Sequence, residues 1–343
     1  MATKKTHDLR CLCIDHLEKL AAERMDKQTR DYYNEGADSG SSLAENKFAY
    51  QKYRIRPRVL RDVSYINTSA NAFSYMNSIP LGVAPTAMQC LAHPDGELAT
   101  ARACKETGIV MGLRSFSTTS LENVKSALGD SHPAMLQLYL FESRDLIART
   151  KKAGQPGHHD GERWISPNGR ITFHTHAPNP KLSWDRDIEW LKKECHPEME
   201  VWVKGIATAE DAILAYRHGV DGTTVSNHGG RQLNGAIATI DALPKVVEAV
   251  RAVNRKVPVH VDGGIRHGTD VVKALALGAD FVWIGRSVLW GLAYKGQEGV
   301  ELCLRLLNDE IRLCMALAGV TKVEDISKEY LARISRDGFV SRL

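Results

Sequence analysis

The sequence predicts an α/β fold, a parallel (β/α)8 barrel with an N-terminal helical extension, on three observations. Short apolar segments recur along the chain, helical stretches separate them, and polar or glycine residues close each one. Seven segments read as strands covered on both faces: 79–85, 108–113, 134–140, 201–206, 222–227, 257–263 and 281–286. Thr208 to Asp211 opens a helix that runs to His218 and stops at Gly219, and Thr269-Asp270 opens another that stops at Gly278. Alternation of this kind admits an open doubly wound sheet or a closed barrel.

The fourth strand of such a barrel belongs between a helix at about 143–153 and the strand at 201. That interval carries turn chemistry at 155–161 and 166–169. Residues 171–176 alternate and read equally as strand or loop, so the fourth strand is missing or rebuilt within 155–181. Residues 1–78 form an N-terminal segment, with a helix over roughly 9–34 and an extended basic piece at 53–58. The barrel spans 79–295, and 296–343 close the chain, with helical spacing at 296–318. No linker interrupts this order, so one domain is expected over 1–343.

Composition narrows the function. The chain has 343 residues, 43% hydrophobic and 25% charged, which excludes a disordered or collagen-like protein. A net charge of +4 is too small to argue for a nucleic-acid partner. Seven cysteines, without CxxC spacing, suit reduced thiols. No apolar run reaches membrane-spanning length and no secretory signal is visible, so no membrane association is expected. The ending Ser341-Arg342-Leu343 approximates a peroxisomal address; otherwise the expectation is cytoplasmic.

In a barrel of this kind, chemistry sits at the C-terminal strand ends. Here those ends carry Gln137 and Tyr139, Lys204, the run Ser226 to Arg231, Asp262 to Arg266, and Gly285-Arg286. Burying such polar groups without partners is costly, so they need a reason. The glycine-rich turns after the last two strands expose backbone N–H groups, and Arg266 and Arg286 add positive charge, which predicts a phosphate site. His174 and His176 supply two metal-type ligands without a third, so no metal is expected. His93, His132, His158 and His159 have no expected role.

The run Ser226-Asn227-His228-Gly229-Gly230-Arg231-Gln232-Leu233 resembles the signature of the FMN-dependent α-hydroxy acid oxidases and dehydrogenases. Ala84 to Gln89, Asp262 to Asp270, Leu43 to Asn46, Ala92 to Pro94 and Lys273 to Ala279 match the same family, and the matches run from about 31 to 319. The resemblance implies a TIM barrel that binds FMN noncovalently and oxidises a (S)-2-hydroxy acid, with dioxygen as acceptor and hydrogen peroxide as product. It implies a homotetramer or larger homo-oligomer. His228 is then the base that takes a proton from substrate, a task that suits a group titrating near working pH. Arg231 holds the substrate carboxylate bidentately. Tyr32 and Tyr139 hydrogen-bond to substrate, Tyr33 packs, and Lys204 stabilises the anionic reduced flavin. Pro85, Thr86 and Ala87 line the ring, with Gln137 at its edge and Ser226 beside it. Asp262 takes the ribityl hydroxyls, and Gly264, Arg266, Gly285 and Arg286 hold the phosphate.

Three departures from the family pattern stand out. The Thr-x-Asp strand end, with the Asp that pairs the catalytic histidine and a loop with a second carboxylate-binding arginine, is absent. Arg114 occupies the place of a small flavin-contacting hydroxyl, so either Arg114 turns away or Ser115 takes over. Asn234 replaces an aspartate, which removes a salt-bridge anchor for Arg231. Two alternatives follow: a divergent member with an unusual substrate, or a degenerate, flavin-poor scaffold.

Overall fold

The computed structural model describes residues 8–140, 179–253, 257–334 and 340–342. Three short strands, β1 (Tyr53–Ile55), β2 (Ala70–Ala72) and β3 (Tyr75–Asn77), precede the central sheet. That sheet comprises β4 (Leu81–Val83), β5 (Met111–Arg114), β6 (Ala134–Gln137), β7 (Trp202–Ile206), β8 (Gly222–Val225), β9 (Val259–Asp262) and β10 (Phe281–Ile284). All pair in parallel, in the order β6-β5-β4-β10-β9-β8-β7. Each corresponds to a segment predicted from sequence. The expected helix at 143–153, the residues 171–176 and the rest of the fourth-strand interval up to 178 lie outside the described residues. Among the described residues, the outer edges of β6 and β7 pair with no strand.

Strands β4, β8, β9 and β10 are buried along their whole length, which is why the sequence shows them as unbroken apolar runs. The hairpin β2–β3 packs beside the strand beginnings. Its Phe73 ring lies 4.8 Å from Trp202, 5.4 Å from His260 and 5.9 Å from Trp283. That aromatic plug fills the interior on one side and leaves the C-terminal strand ends open for chemistry.

The helix expected over 9–34 is two helices, Ile14–Ala22 and Lys27–Asn34. Asp26 starts the second: its carboxylate accepts from the Thr29 N–H at 2.9 Å and the Thr29 hydroxyl at 2.8 Å, satisfying an end that a continuous helix would not have. The helix expected over 296–318 begins ten residues earlier, as Arg286–Ala318, with a break at Lys295 and Gly296. Thr208 caps Ala209–Arg217 as predicted, accepting from the Asp211 N–H at 3.2 Å. Gly268–Ala276 starts one residue before Thr269, because the Asp270 carboxylate reaches back to the His267 N–H at 3.0 Å. Strand β1 realises the extended piece at 53–58 and pairs antiparallel with β11 (Leu331–Ile334), which also pairs with β12 (Val340–Arg342). No helix among the described residues is long and apolar enough to cross a membrane.

Candidate active site

The C-terminal ends of β7, β8 and β9 bring three predicted residues into direct contact. An irregularity in β7 between Lys204 and Ile206, with Gly205 at φ +111°, turns the Lys204 side chain toward its neighbours. Its ammonium lies 2.8 Å from the Asp262 carboxylate and donates to the Ser226 hydroxyl at 2.7 Å. The Ser226 oxygen also accepts from the His228 backbone N–H at 3.1 Å. Lysine, aspartate, serine and histidine thus form one connected group.

His228 sits in a left-handed conformation, φ +56°, which a non-glycine residue adopts only when its surroundings compel it. The compulsion comes from Asn227. Its amide exchanges two hydrogen bonds of 2.8 Å with the amide of buried Asn46, donates to the Ile237 carbonyl and accepts from the Gly230 N–H. Asn46 in turn accepts from the Thr239 N–H. Neither asparagine was expected to do this, although both lie in runs that match the family, and that coincidence is the available signal. Burial first, then the Lys204 and Arg114 cations, lower the His228 pKa to about 4, against a smaller opposing effect of Asp262. No hydrogen bond to its ring is present among the described residues.

Two arginines close the rim. Arg286 donates from all three nitrogens, to the carbonyls of Tyr33 (2.8 Å), Gly229 (2.9 Å) and Glu35 (3.0 Å). Burial lowers it to about 10, so it remains a cation at neutral pH. Arg231 donates to the same Tyr33 and Glu35 carbonyls and lies over the Tyr32 ring, 5.1 Å from its centroid. Tyr33 packs, as expected: it is buried and its hydroxyl donates to the Met88 carbonyl at 2.8 Å. Arg266, expected at a phosphate, lies 2.9 Å from the Glu18 carboxylate and 4.1 Å over Trp290, with one nitrogen engaged by the acid.

All but one of the remaining predicted residues face the same cleft. Pro85, Thr86 and Ala87 line it beyond β4, Gln137 and Tyr139 beyond β6, and Gly264 and Gly285 beyond β9 and β10. Ser115 is not among the lining residues. Its hydroxyl donates to the Gln137 carbonyl at 2.6 Å, so it holds β5 to β6 rather than facing the cleft. Arg114 does line the cleft, turned to donate to the Tyr139 hydroxyl at 3.0 Å. Asn234 makes no anchor for Arg231. It accepts from the Ser41 N–H and hydroxyl and donates to Ser39, tying the signature loop to the helix Ser41–Phe48. His132 is structural, its ring nitrogen 2.8 Å from the Ile109 carbonyl.

Among the described residues, two cleft acceptors at predicted positions are buried with no hydrogen-bond partner: Asp262 Oδ1 and Gln137 Oε1. An unsatisfied buried polar atom costs about 1–3 kcal/mol, so each calls for a donor from a bound molecule. A polyol hydroxyl at Asp262 and a ring N–H at Gln137 would serve, and Arg286, with the turn at Gly263 and Gly264, lies near enough to the cleft for an anion. The donor set fits the expected flavin mononucleotide.

Comparison with known proteins gives the same family. The model for FMN-dependent dehydrogenases matches residues 21–159 and 151–333. The 2-hydroxyacid oxidase 1 of Mus musculus is 39% identical over 361 residues, covering 93% of this chain and 96% of that one. The peroxisomal (S)-2-hydroxyacid oxidase GLO4 of Arabidopsis thaliana is 38% identical over 354 residues, covering 93% and 95%. Among solved structures, a flavocytochrome b2 variant superposes with a TM-score of 0.83 at 32% identity, covering 93% of this chain and 86% of that one.

Proposed function

The chain belongs to the FMN-dependent dehydrogenase family, and from that membership we propose that it oxidises (S)-2-hydroxy acids to 2-oxo acids with dioxygen as final acceptor. The carrying observation is the group of Lys204, Asp262, Ser226 and His228 at one rim, with Asp262 Oδ1 and Gln137 Oε1 in the same cleft buried without a hydrogen-bond partner among the described residues. FMN, when bound, would supply two-electron redox chemistry between the substrate, which gives up two electrons and two protons, and dioxygen, which takes them up as hydrogen peroxide.

The protein's own residues do the rest. Arg231 takes the substrate carboxylate, and its stack on Tyr32 together with the Tyr33 and Glu35 carbonyls holds the guanidinium in place. Tyr32 and Tyr139 donate to substrate oxygens. His228, kept neutral by burial and by the cations around it, accepts the substrate proton. Lys204 places positive charge where negative charge develops on the cofactor ring. Asp262 and Gln137 receive the ribityl and ring donors, and Arg286, Arg266 and the turns at Gly264 and Gly285 receive the phosphate. Pro85 to Ala87 and Ser226 flank the ring. A homo-oligomer and a peroxisomal location complete the reading, supported by the family and by the Arabidopsis relative.

The test is direct. The purified protein is expected to be yellow with one FMN per chain, to bleach anaerobically on adding a (S)-2-hydroxy acid, and to regain colour with release of peroxide on admission of air. A colourless protein that does not take up FMN supports the flavin-poor scaffold instead.

Gly264 gives a sharper check on the cofactor loop. It has φ +78°, and an added Cβ would fall 2.0 Å from the Asn46 carbonyl oxygen, which is backbone. Gly264→Ala therefore displaces the segment whose Asn46 side chain holds Asn227. The expected outcome is a protein that loses FMN on gel filtration and melts at lower temperature. A variant that keeps stoichiometric FMN and an unchanged Tm contradicts this account of the turn.

A further inference from the structure

Arg114 ends β5, opposite Gln137 in the sheet register, lines the cleft and makes no salt bridge among the described residues. Its guanidinium lies 5.6 Å from each of the Phe116 and Tyr139 ring centroids. One terminal nitrogen donates to the Tyr139 hydroxyl at 3.0 Å, while Nε is buried with no partner. A guanidinium stays charged and cannot accept, so the free N–H has to meet an acceptor. The Tyr139 hydroxyl lies beside that guanidinium and lines the same cleft. An arginine N–H and a tyrosine O–H side by side make a donor pair suited to the two oxygens of one carboxylate.

The other strand-end cations named above have anions assigned to them. Lys204 pairs with Asp262 and Arg266 with Glu18. Arg286 lies at the cofactor phosphate and Arg231 at the substrate carboxylate, assignments that rest on the proposed function. Arg114 remains, close enough to His228 and Arg231 for its charge to act on both.

We propose that Arg114, with Tyr139, receives a second anionic group on the substrate, so that the protein selects 2-hydroxy dicarboxylates over monocarboxylates of equal chain length. Of the two outcomes open from sequence, the structure shows Arg114 turned onto Tyr139.

The experiment compares holoenzyme, Arg114→Ser and Arg114→Gln in two assays. In the first, non-oxidisable glutarate and valerate are titrated against the flavin absorbance. In the second, kcat/KM is measured with (S)-2-hydroxyglutarate and (S)-2-hydroxyvalerate. The expected wild type favours the diacid in both. Charge-assisted hydrogen bonds predict that either variant weakens the diacid by about 10- to 100-fold, with a loss at least several-fold smaller for the monoacid. Equal losses for both acids place Arg114 on the shared carboxylate and overturn the proposal. So does a wild type that takes the monoacid as well as the diacid. If neither hydroxy acid reduces the flavin while glutarate binding still depends on Arg114, the second-anion site stands and the proposed reaction fails. If Arg114→Ser does not fold, Arg114→Gln, uncharged but bulkier and still polar, decides.

Discussion

Replacing His228 with alanine is expected to leave a yellow protein whose flavin no hydroxy acid reduces at a useful rate. A positioned general base contributes about 10²–10⁴ in rate, so the anaerobic reduction rate constant falls by at least the lower figure. FMN is retained because the residues assigned to it, Asp262, Gln137 and Arg286, do not depend on the imidazole. The wild-type pH profile carries the same information. With burial, Lys204 and Arg114 holding the free-enzyme pKa to about 4, the base is available throughout the neutral range. The reduction rate at low substrate is therefore flat from neutral pH down toward about 5, then drops as His228 takes a proton, and the alanine variant lacks that limb. Linkage gives a second readout. The folded pKa lies below the ordinary histidine value of 6.5, so as pH falls from about 6.5 to 4 the unfolded chain binds a proton that the folded site refuses. Stability declines across that window, and His228→Ala declines less. Stopped-flow reduction and thermal melts at matched pH settle both points; undiminished reduction in the variant removes His228 from the base role.

How much of this was legible beforehand depends on the range of the interaction. Strands β4, β8, β9 and β10 are buried on both faces, so their burial is written locally as apolar runs that end in chemistry-bearing residues. The Asp26 cap is also local, yet apolar spacing carried the reading across it and joined two helices. The grip of Asn46 on Asn227 joins positions 181 residues apart, and nothing within either segment encodes it. Arg114 shows a different limit. Its identity and its misfit with the family pattern are plain in the sequence, but the direction of a long side chain depends on the Tyr139 hydroxyl supplied from beyond the next strand. Asn234 is similar: the loss of a charge was visible, while its new partners, Ser39 and Ser41, come from the N-terminal segment.

Lys204→Met is expected to have the other large effect, and a double variant separates its two causes. Asp262 is 6% exposed, and among the described residues the Lys204 ammonium is the cation that meets it. Removing one partner of a buried pair costs about 3–5 kcal/mol; Lys204, with 29% of its side chain exposed, belongs at or below the lower end of that range. Lys204→Met should therefore melt earlier and hold FMN less firmly. It should also slow flavin reduction by about 10²–10³, the scale on which loss of a positioned charge-stabilising donor acts. Lys204→Met/Asp262→Asn removes the orphaned charge along with its partner. Because the residues are in contact, the two changes are expected to be non-additive, with much of the lost Tm restored. Reduction stays slow in the double variant, since no cation is left beside the cofactor ring. FMN-loaded samples compared by anaerobic stopped flow, with melts run in parallel, give both quantities. If the single variant reduces its flavin within tenfold of wild type, Lys204 serves only to neutralise Asp262.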